Sequence, residues 1–220
     1  METLFAMEAQ TAMDYGKPLT ESYAPQSLDQ LIGLEKQKRI LSKLAASPKA
    51  GAAILLEGDT GTGKTTAAFL YAKSIGAEVH HIPSQAASVD NLKSTIDMCW
   101  YVPMQADGKG WHCVIIDEAD RLTPSAMLAM LSVLDGTNCP PQTVFVLTCN
   151  SVENFQDRFL GRCLRLPSFN TYGASSSIKA KLAAIWKDRA GDAPLVSLDK
   201  VPTSSVRAAY QWLEVELLAV

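Results

Sequence analysis

The octapeptide GDTGTGKT, Gly58 to Thr65, puts three glycines, a lysine and a hydroxyl residue into the pattern G-x-x-x-x-G-K-[ST]. Glycines at this spacing let successive backbone N–H groups turn inward around phosphate oxygens. A helix opening at the lysine adds positive potential from its N-terminus. Gly58, Asp59, Thr60, Gly61, Thr62, Gly63, Lys64, Thr65 and Thr66 are therefore the candidate phosphate-binding residues. Lys64 is placed to reach the outer phosphates and the Thr65 hydroxyl to hold Mg2+.

Three further stretches carry polar groups where chemistry would need them. In CVIIDEAD, Cys113 to Asp120, an apolar run ends in Asp117, which sets a carboxylate at a strand end, where it can hold Mg2+ through water. Glu118 follows, a group able to orient and deprotonate an attacking water. VFVLTCN ends in Asn150, whose amide suits either the terminal phosphate or that water, although asparagine also ends strands as a turn residue. NFQDRFLGRCLRLPSF, Asn154 to Phe169, holds Arg158, Arg162 and Arg165. Arg158 fits an ion pair with Asp157 or Glu153 on its own helix as well as it fits a helper role. Arg165 lies inside a strand-like run and reads as structural.

The elements that would position these groups alternate in kind. AAILLEG, EVHHIPS, WHCVII, TVFVLTC and CLRLPSF read as strands, short and mostly apolar. Between them lie helix-like KTTAAFLYAKSIG, closed by Gly76, SVDNLKSTIDMCW, capped by Ser88, and TPSAMLAMLSVLDG, with Thr123 as N-cap and Pro124 at the first helical position. This alternation predicts an α/β fold with a mostly parallel five-stranded sheet flanked by helices. Past Phe169 the pattern changes to two helices, IKAKLAAIWKDRA and SSVRAAYQWLEVELL, with no strand between them. The reading is a possibly flexible arm over 1–20, an α/β domain over 21–169 and a small, shortened helical lid over 170–220.

Composition excludes several classes. The chain has 220 residues, 47% of them hydrophobic, and a net charge of −3, so there is no global basic footprint for nucleic acid. No apolar run is long enough to span a membrane, and METLFAMEAQ lacks a basic signal-peptide region, so a cytoplasmic or nucleoid-associated protein, not secreted and without a membrane partner, is expected. The five cysteines are scattered, with no C-x-x-C pair, which argues against zinc. The pair His80–His81 lacks a visible third ligand and reads as a strand-end feature.

Taken together, these motifs resemble those of the AAA+ ATPases, and more narrowly the clamp-loader branch, over roughly residues 20 to 215. GDTGTGKTT and VIIDEAD resemble its Walker A and Walker B, and TCN its sensor 1. SYAPQSLDQLIG is similar to its lead-in segment, which implies that Tyr23, Pro25, Ile32 and Gly33 wall an adenine. GRC resembles its Ser-Arg-Cys motif with Gly161 in the serine's place, which implies Arg162 as a finger acting on a neighbour's nucleotide. SSVRAAYQWLE looks like its sensor 2 helix, which implies Arg207 at the terminal phosphate. The resemblance implies an ATP- and Mg2+-dependent ATPase with catalytic Glu118, Asn150, Arg162 and Arg207, working in a homo- or hetero-oligomer with a sliding clamp or other replication protein. It also points Lys93 and Arg121 toward the backbone of primed or double-stranded DNA, although ordinary solvated helix faces explain both equally well. The stretch after Arg162 suffices for a lid but not for a further collar domain; either a companion subunit supplies the collar or the ATPase and lid domains assemble unaided. Other activities open to the same motifs are remodelling of a protein partner, helicase loading, and service as a nucleotide-dependent scaffold.

Overall fold

A computed structural model describes residues 16–103, 110–135, 138–191 and 193–219. Five parallel strands form one sheet: β1 (Ala53–Glu57), β2 (Ala77–Ile82), β3 (Trp111–Ile116), β4 (Thr143–Cys149) and β5 (Cys163–Arg165), in the order β2-β3-β4-β1-β5. The near-unbroken apolar runs of β1, β3 and β4 follow from this placement, since an inner strand of a parallel sheet is covered on both faces. Ile54, Leu56, Cys113, Ile115, Val144 and Val146 pack toward one side, Leu55, Val114, Ile116, Phe145 and Leu147 toward the other.

The first side is covered by α2 (Glu35–Ala46) and α3 (Lys64–Ser74), the second by α4 (Val89–Met98) and α5 (Pro124–Leu134). Their ends obey local chemistry. Ser88 accepts a hydrogen bond from the Asn91 N–H and Thr123 from the Ala126 N–H, each satisfying one orphan donor of a first turn. Such a cap is worth about 1 kcal/mol. Gly76 follows the end of α3 with φ of 62°, the left-handed closure expected of it.

Only three residues of CLRLPSF form a regular strand. The ladder runs on to the Leu166 N–H, which donates to the Leu55 carbonyl, then takes in one extra residue beside Pro167 and resumes as the Phe169 N–H donates to the Glu57 carbonyl. The helices α7 (Ser175–Ala190) and α8 (Val206–Leu217) close on a separate apolar cluster that includes Ile178, Leu182, Trp186, Ala209 and Leu213. Leu19, in the short helix α1 (Leu19–Ser22), is buried in this same cluster. Residues 1–15 of the expected arm lie outside the described residues; at its other end the chain is held by the lid, because Leu19 supplies apolar surface that the two lid helices would otherwise expose. Among the described residues no helix is long and apolar enough to cross a membrane.

Candidate nucleotide site

The sheet register alone assembles the polar groups. Ile116 pairs with Leu147, which sets Asp117 beside Thr148, and Glu57 pairs with Cys149, which sets the phosphate-loop residue Gly58 beside Asn150. The carboxyl ends of β1, β3 and β4 therefore converge, at the edge where parallel α/β sheets bind ligands.

Thr65 Oγ1 donates to Asp117 Oδ1 at 2.8 Å, and Thr148 Oγ1 donates to the same oxygen at 2.6 Å. The hydroxyl and carboxylate oxygens of Thr65 and Asp117 are hard donors of the type Mg2+ takes, and their contact shows that they reach a common point. His81 Nε2 lies 3.5 Å from the other Asp117 oxygen.

Lys64 is buried, and its three N–H groups meet the Gly58 carbonyl at 2.7 Å, the Asp59 carbonyl at 2.8 Å and Asn150 Oδ1 at 3.1 Å. Burial lowers its pKa, while the charges of Asp120, Asp59 and Asp117 oppose the shift. Asp120 Oδ1 is a buried acceptor without a hydrogen-bond partner among the described residues, an added source of negative potential near that ammonium. Asn150 Oδ1 also accepts from Thr60 at 3.4 Å, so the loop, the lysine and the end of β4 form one network.

Glu118 takes a left-handed backbone conformation, φ 49° and ψ 48°, and its N–H donates to Thr148 Oγ1 at 3.1 Å. A non-glycine residue rarely adopts this conformation, and here the neighbouring hydroxyl holds it. The Glu118 carboxylate pairs with Arg121 at 2.9 Å, one 3-10 turn away. Arg121, expected to face DNA, is thus engaged on Glu118; Lys93 is exposed on α4.

The lid meets the loop directly. Gly61, with φ of 77°, lies so close to the start of α8 that an added Cβ would sit 2.3 Å from Ser205 Oγ and 3.0 Å from the Arg207 Cβ. The Arg207 N–H and the Ser205 hydroxyl both donate to the Gly61 carbonyl, each at 3.3 Å. A cavity of about 540 Å³ opens here between the two parts of the chain. Tyr23, Pro25 and Ile32 line it with Gly61, Gly63 and Arg207. Tyr23 is pinned from the lid side: its hydroxyl donates to Asp188 and accepts from Arg189 Nε at 2.9 Å.

Gly33 is not among the lining residues. Its place is packing: with φ of 68°, it lets Ala174 approach to where its own Cβ would be, 2.2 Å away. The lead-in segment thus needs glycine for closeness to the lid rather than for the cavity wall.

The arginines separate by position. Arg165 pairs with Glu57 at 3.2 Å across the β1–β5 ladder, which gives the strand role read from the sequence a partner. Arg158 Nε donates to Gln156 at 2.7 Å, not to Asp157 or Glu153. Arg162 is half-exposed; it pairs with Asp135, at the end of α5, and donates to the Arg158 carbonyl at 2.7 Å. Its mount is firm: the short helix α6 (Asp157–Leu160) buries Phe159 completely, stacked on Phe155 with ring centroids 5.4 Å apart. Gly161 has ordinary helical angles, φ −64° and ψ −15°, so no backbone strain demands a glycine there.

Sequence reasoning missed Thr148, Asp135, Lys181 and Tyr210. Thr148 carried a signal, a hydroxyl at the penultimate position of an otherwise apolar strand end. Lys181 and Tyr210, which line the cavity from the lid, and Asp135, far from Arg162 along the chain, carried none.

Comparison with known proteins agrees with this geometry. The family described as "ATPase family associated with various cellular activities (AAA)" matches residues 54–170, more than half of the chain. Among curated relatives, the Replication factor C small subunit of Methanosphaera stadtmanae is 28% identical over 154 residues, covering 66% of this chain and 46% of its own length. DNA polymerase III subunit gamma of Buchnera aphidicola is 28% identical over 172 residues, with the same coverage of both chains. The chain thus spans about half the length of the curated relatives it matches. Among solved structures, a RuvB variant from Thermotoga maritima superposes with a TM-score of 0.67 at 16% identity, covering 89% of this chain and 67% of that one, a likeness of fold. The five-stranded parallel sheet, the glycine-rich loop at the carboxyl end of β1 and the matched stretch concur: this chain belongs to the AAA family of ATPases.

Proposed function

We propose that this protein is the ATP-hydrolysing subunit of a clamp-loader-like assembly in DNA replication, dependent on Mg2+ and with active sites shared between subunits. The observation that carries the reading is the convergence of Lys64, Thr65, Asp117 and Asn150 at one sheet edge, beside a cavity roofed by the lid helix bearing Arg207. The similarity to Replication factor C and DNA polymerase III gamma subunits supports the replication context.

The residues divide the work. Lys64 turns its N–H groups from their present acceptors to oxygens of the β- and γ-phosphates, a substitution of one oxygen for another that costs little reorganisation. Thr65 and Asp117 would hold Mg2+, which when bound neutralises charge developing on the phosphates. Glu118 released from Arg121 orients the water for in-line attack, and Asn150 holds that water or the γ-phosphate. Tyr23, Pro25 and Ile32 wall the base. Arg207 approaches the phosphates from the lid, and Arg162 serves the nucleotide of the adjoining subunit. Contact with DNA through Lys93 or Arg121 belongs to the same proposal, with phosphates rather than bases as the target.

Steady-state ATP hydrolysis should require Mg2+, vanish in Lys64→Ala and rise with primed DNA plus a sliding clamp. Stimulation by a folded protein partner with DNA inert would instead indicate a remodeller or helicase loader. Mixing tests the shared site: Lys64→Ala still offers Arg162, Arg162→Ala still has its loop, and the two together should regain hydrolysis. Co-assembly without any recovery would exclude Arg162 acting in trans.

A further inference from the structure

On the face of the sheet covered by α4 and α5, the pairing of β2 with β3 sets Glu78 opposite His112 and His80 opposite Val114. His80 and His112 are therefore diagonal neighbours on one face, close enough for long side chains to meet. Their rings do meet, with His80 Nε2 and His112 Nδ1 2.9 Å apart. The end of α4 delivers a third group, Cys99, whose Sγ lies within 4.8 Å of both imidazole donors. His112 and Cys99 are buried, and His80 is partly so.

The hydrogen bonds fix which lone pairs are free. His112 Nε2 is 2.8 Å from the Tyr101 carbonyl, which can only accept, so that nitrogen carries the hydrogen. In a neutral ring Nδ1 is then bare, and it faces His80 and Cys99. A ligating histidine whose other nitrogen donates to a backbone carbonyl is the usual support of a metal-bound imidazole, since that bond fixes ring and tautomer. Burial lowers the pKa of His80, as does His112 beside it, which favours the neutral His80 ring, the form that binds metal. Two imidazoles and a thiol, with no carboxylate among the three, suit a borderline-soft ion and not Mg2+.

We propose that His80, Cys99 and His112 form a Zn2+ site, separate from the nucleotide site, that ties the end of α4 to the β2–β3 edge of the sheet. Three protein ligands leave the fourth tetrahedral position to water. Binding forms the Zn–S bond as the Cys99 S–H, now directed at the Thr95 carbonyl, loses its proton to solvent. His80 shifts its hydrogen from Nε2 to Nδ1, and its Nε2 turns from donor to His112 into ligand. Burial pushes the Cys99 thiol up to about 12, so the thiolate forms with the ion rather than before it. Zinc is thereby restored to a chain in which cysteine spacing argued against it: the companion of His80 is His112, from another strand, and not His81, which faces Asp117.

The test is elemental mass spectrometry on the full, untagged chain, dialysed with Zn2+ and then against buffer with excess Mg2+. About one zinc per chain is expected, reduced at least about tenfold in Cys99→Ser and in His112→Asn, and retained in Cys163→Ser. Co2+ in place of Zn2+ should give a thiolate-to-metal charge-transfer band in the near ultraviolet with the native chain, so the result does not depend on any variant folding. No zinc retained by the native chain, full zinc in Cys99→Ser, or a cobalt complex without the thiolate band would overturn the proposal. The three residues would then be a hydrogen-bonded core relay only.

Discussion

The two ends of the sheet hold their charged groups in opposite ways. At the carboxyl end, Lys64, Thr65, Asp117, Thr148 and Asn150 interlock around the buried Lys64 and Thr148, through contacts of 2.6 to 3.1 Å. At the amino end, Arg162 precedes Cys163, which pairs with Ala53, the first residue of β1. Gly58 lies five residues further along the chain, directly after the end of β1. At a rise of about 3.3 Å per residue, Arg162 is mounted roughly 17 Å from the phosphate loop of its own chain. The first set is built to close on a ligand held within the chain. The second is half-exposed, paired with one exposed aspartate, and aimed away. The distance of Arg162 from its own loop, more than its residue type, is what supports the proposal that it serves a neighbour.

Substitutions at the two ends should therefore fail differently. Arg162→Ala should lower kcat by about 10³- to 10⁵-fold in the assembled state while leaving ATP affinity nearly intact, as measured by single-turnover hydrolysis beside nucleotide titration. An equal loss in dilute, unassembled chains would break the comparison. Glu118→Gln should cut turnover by about 10²- to 10⁴-fold with ATP still bound, so that the assembled state accumulates in mass measurements. Thr148→Val removes the hydroxyl shared by Asp117 and the Glu118 N–H; Mg2+ affinity in the ATP complex should fall about 10- to 100-fold, read by titrating Mg2+ into the ATPase assay. Asp135→Ala should be the mildest: folding stability changes by less than about 1 kcal/mol in denaturant titration, because an exposed ion pair contributes little. Its effect on ATPase should be neutral or upward, since Arg162 is set free; a large loss would mean that Asp135 aims the arginine rather than parks it.

The strands and the caps were readable because their causes are local. β3 and β4 announce themselves as apolar runs, and Thr123–Pro124 marks a helix start by residue type alone. The phosphate loop is legible for the same reason, as its glycines and lysine act within eight residues. CLRLPSF reads as one long strand because its apolar content hides the one-residue shift in register between Leu166 and Phe169. Arg162 with Asp135, and His80 with His112, come from different elements, so only the sheet register and helix packing reveal them. The packing of Gly33 is hidden for a related reason: the side chain that needs its space, Ala174, is distant along the chain.

One strand pairing joins the two ends. β1 carries the phosphate loop after its last residue, and β5, hydrogen-bonded beside it, begins directly after Arg162. The bridge between Gly58 and Phe169 extends that attachment to the loop itself. An axial slip of β1 would have to carry β5 along or rupture the ladder, with each lost backbone bond costing about 1 kcal/mol or more. A shift at the phosphate loop would thus reach the mount of Arg162 through backbone hydrogen bonds alone, without any side chain as go-between.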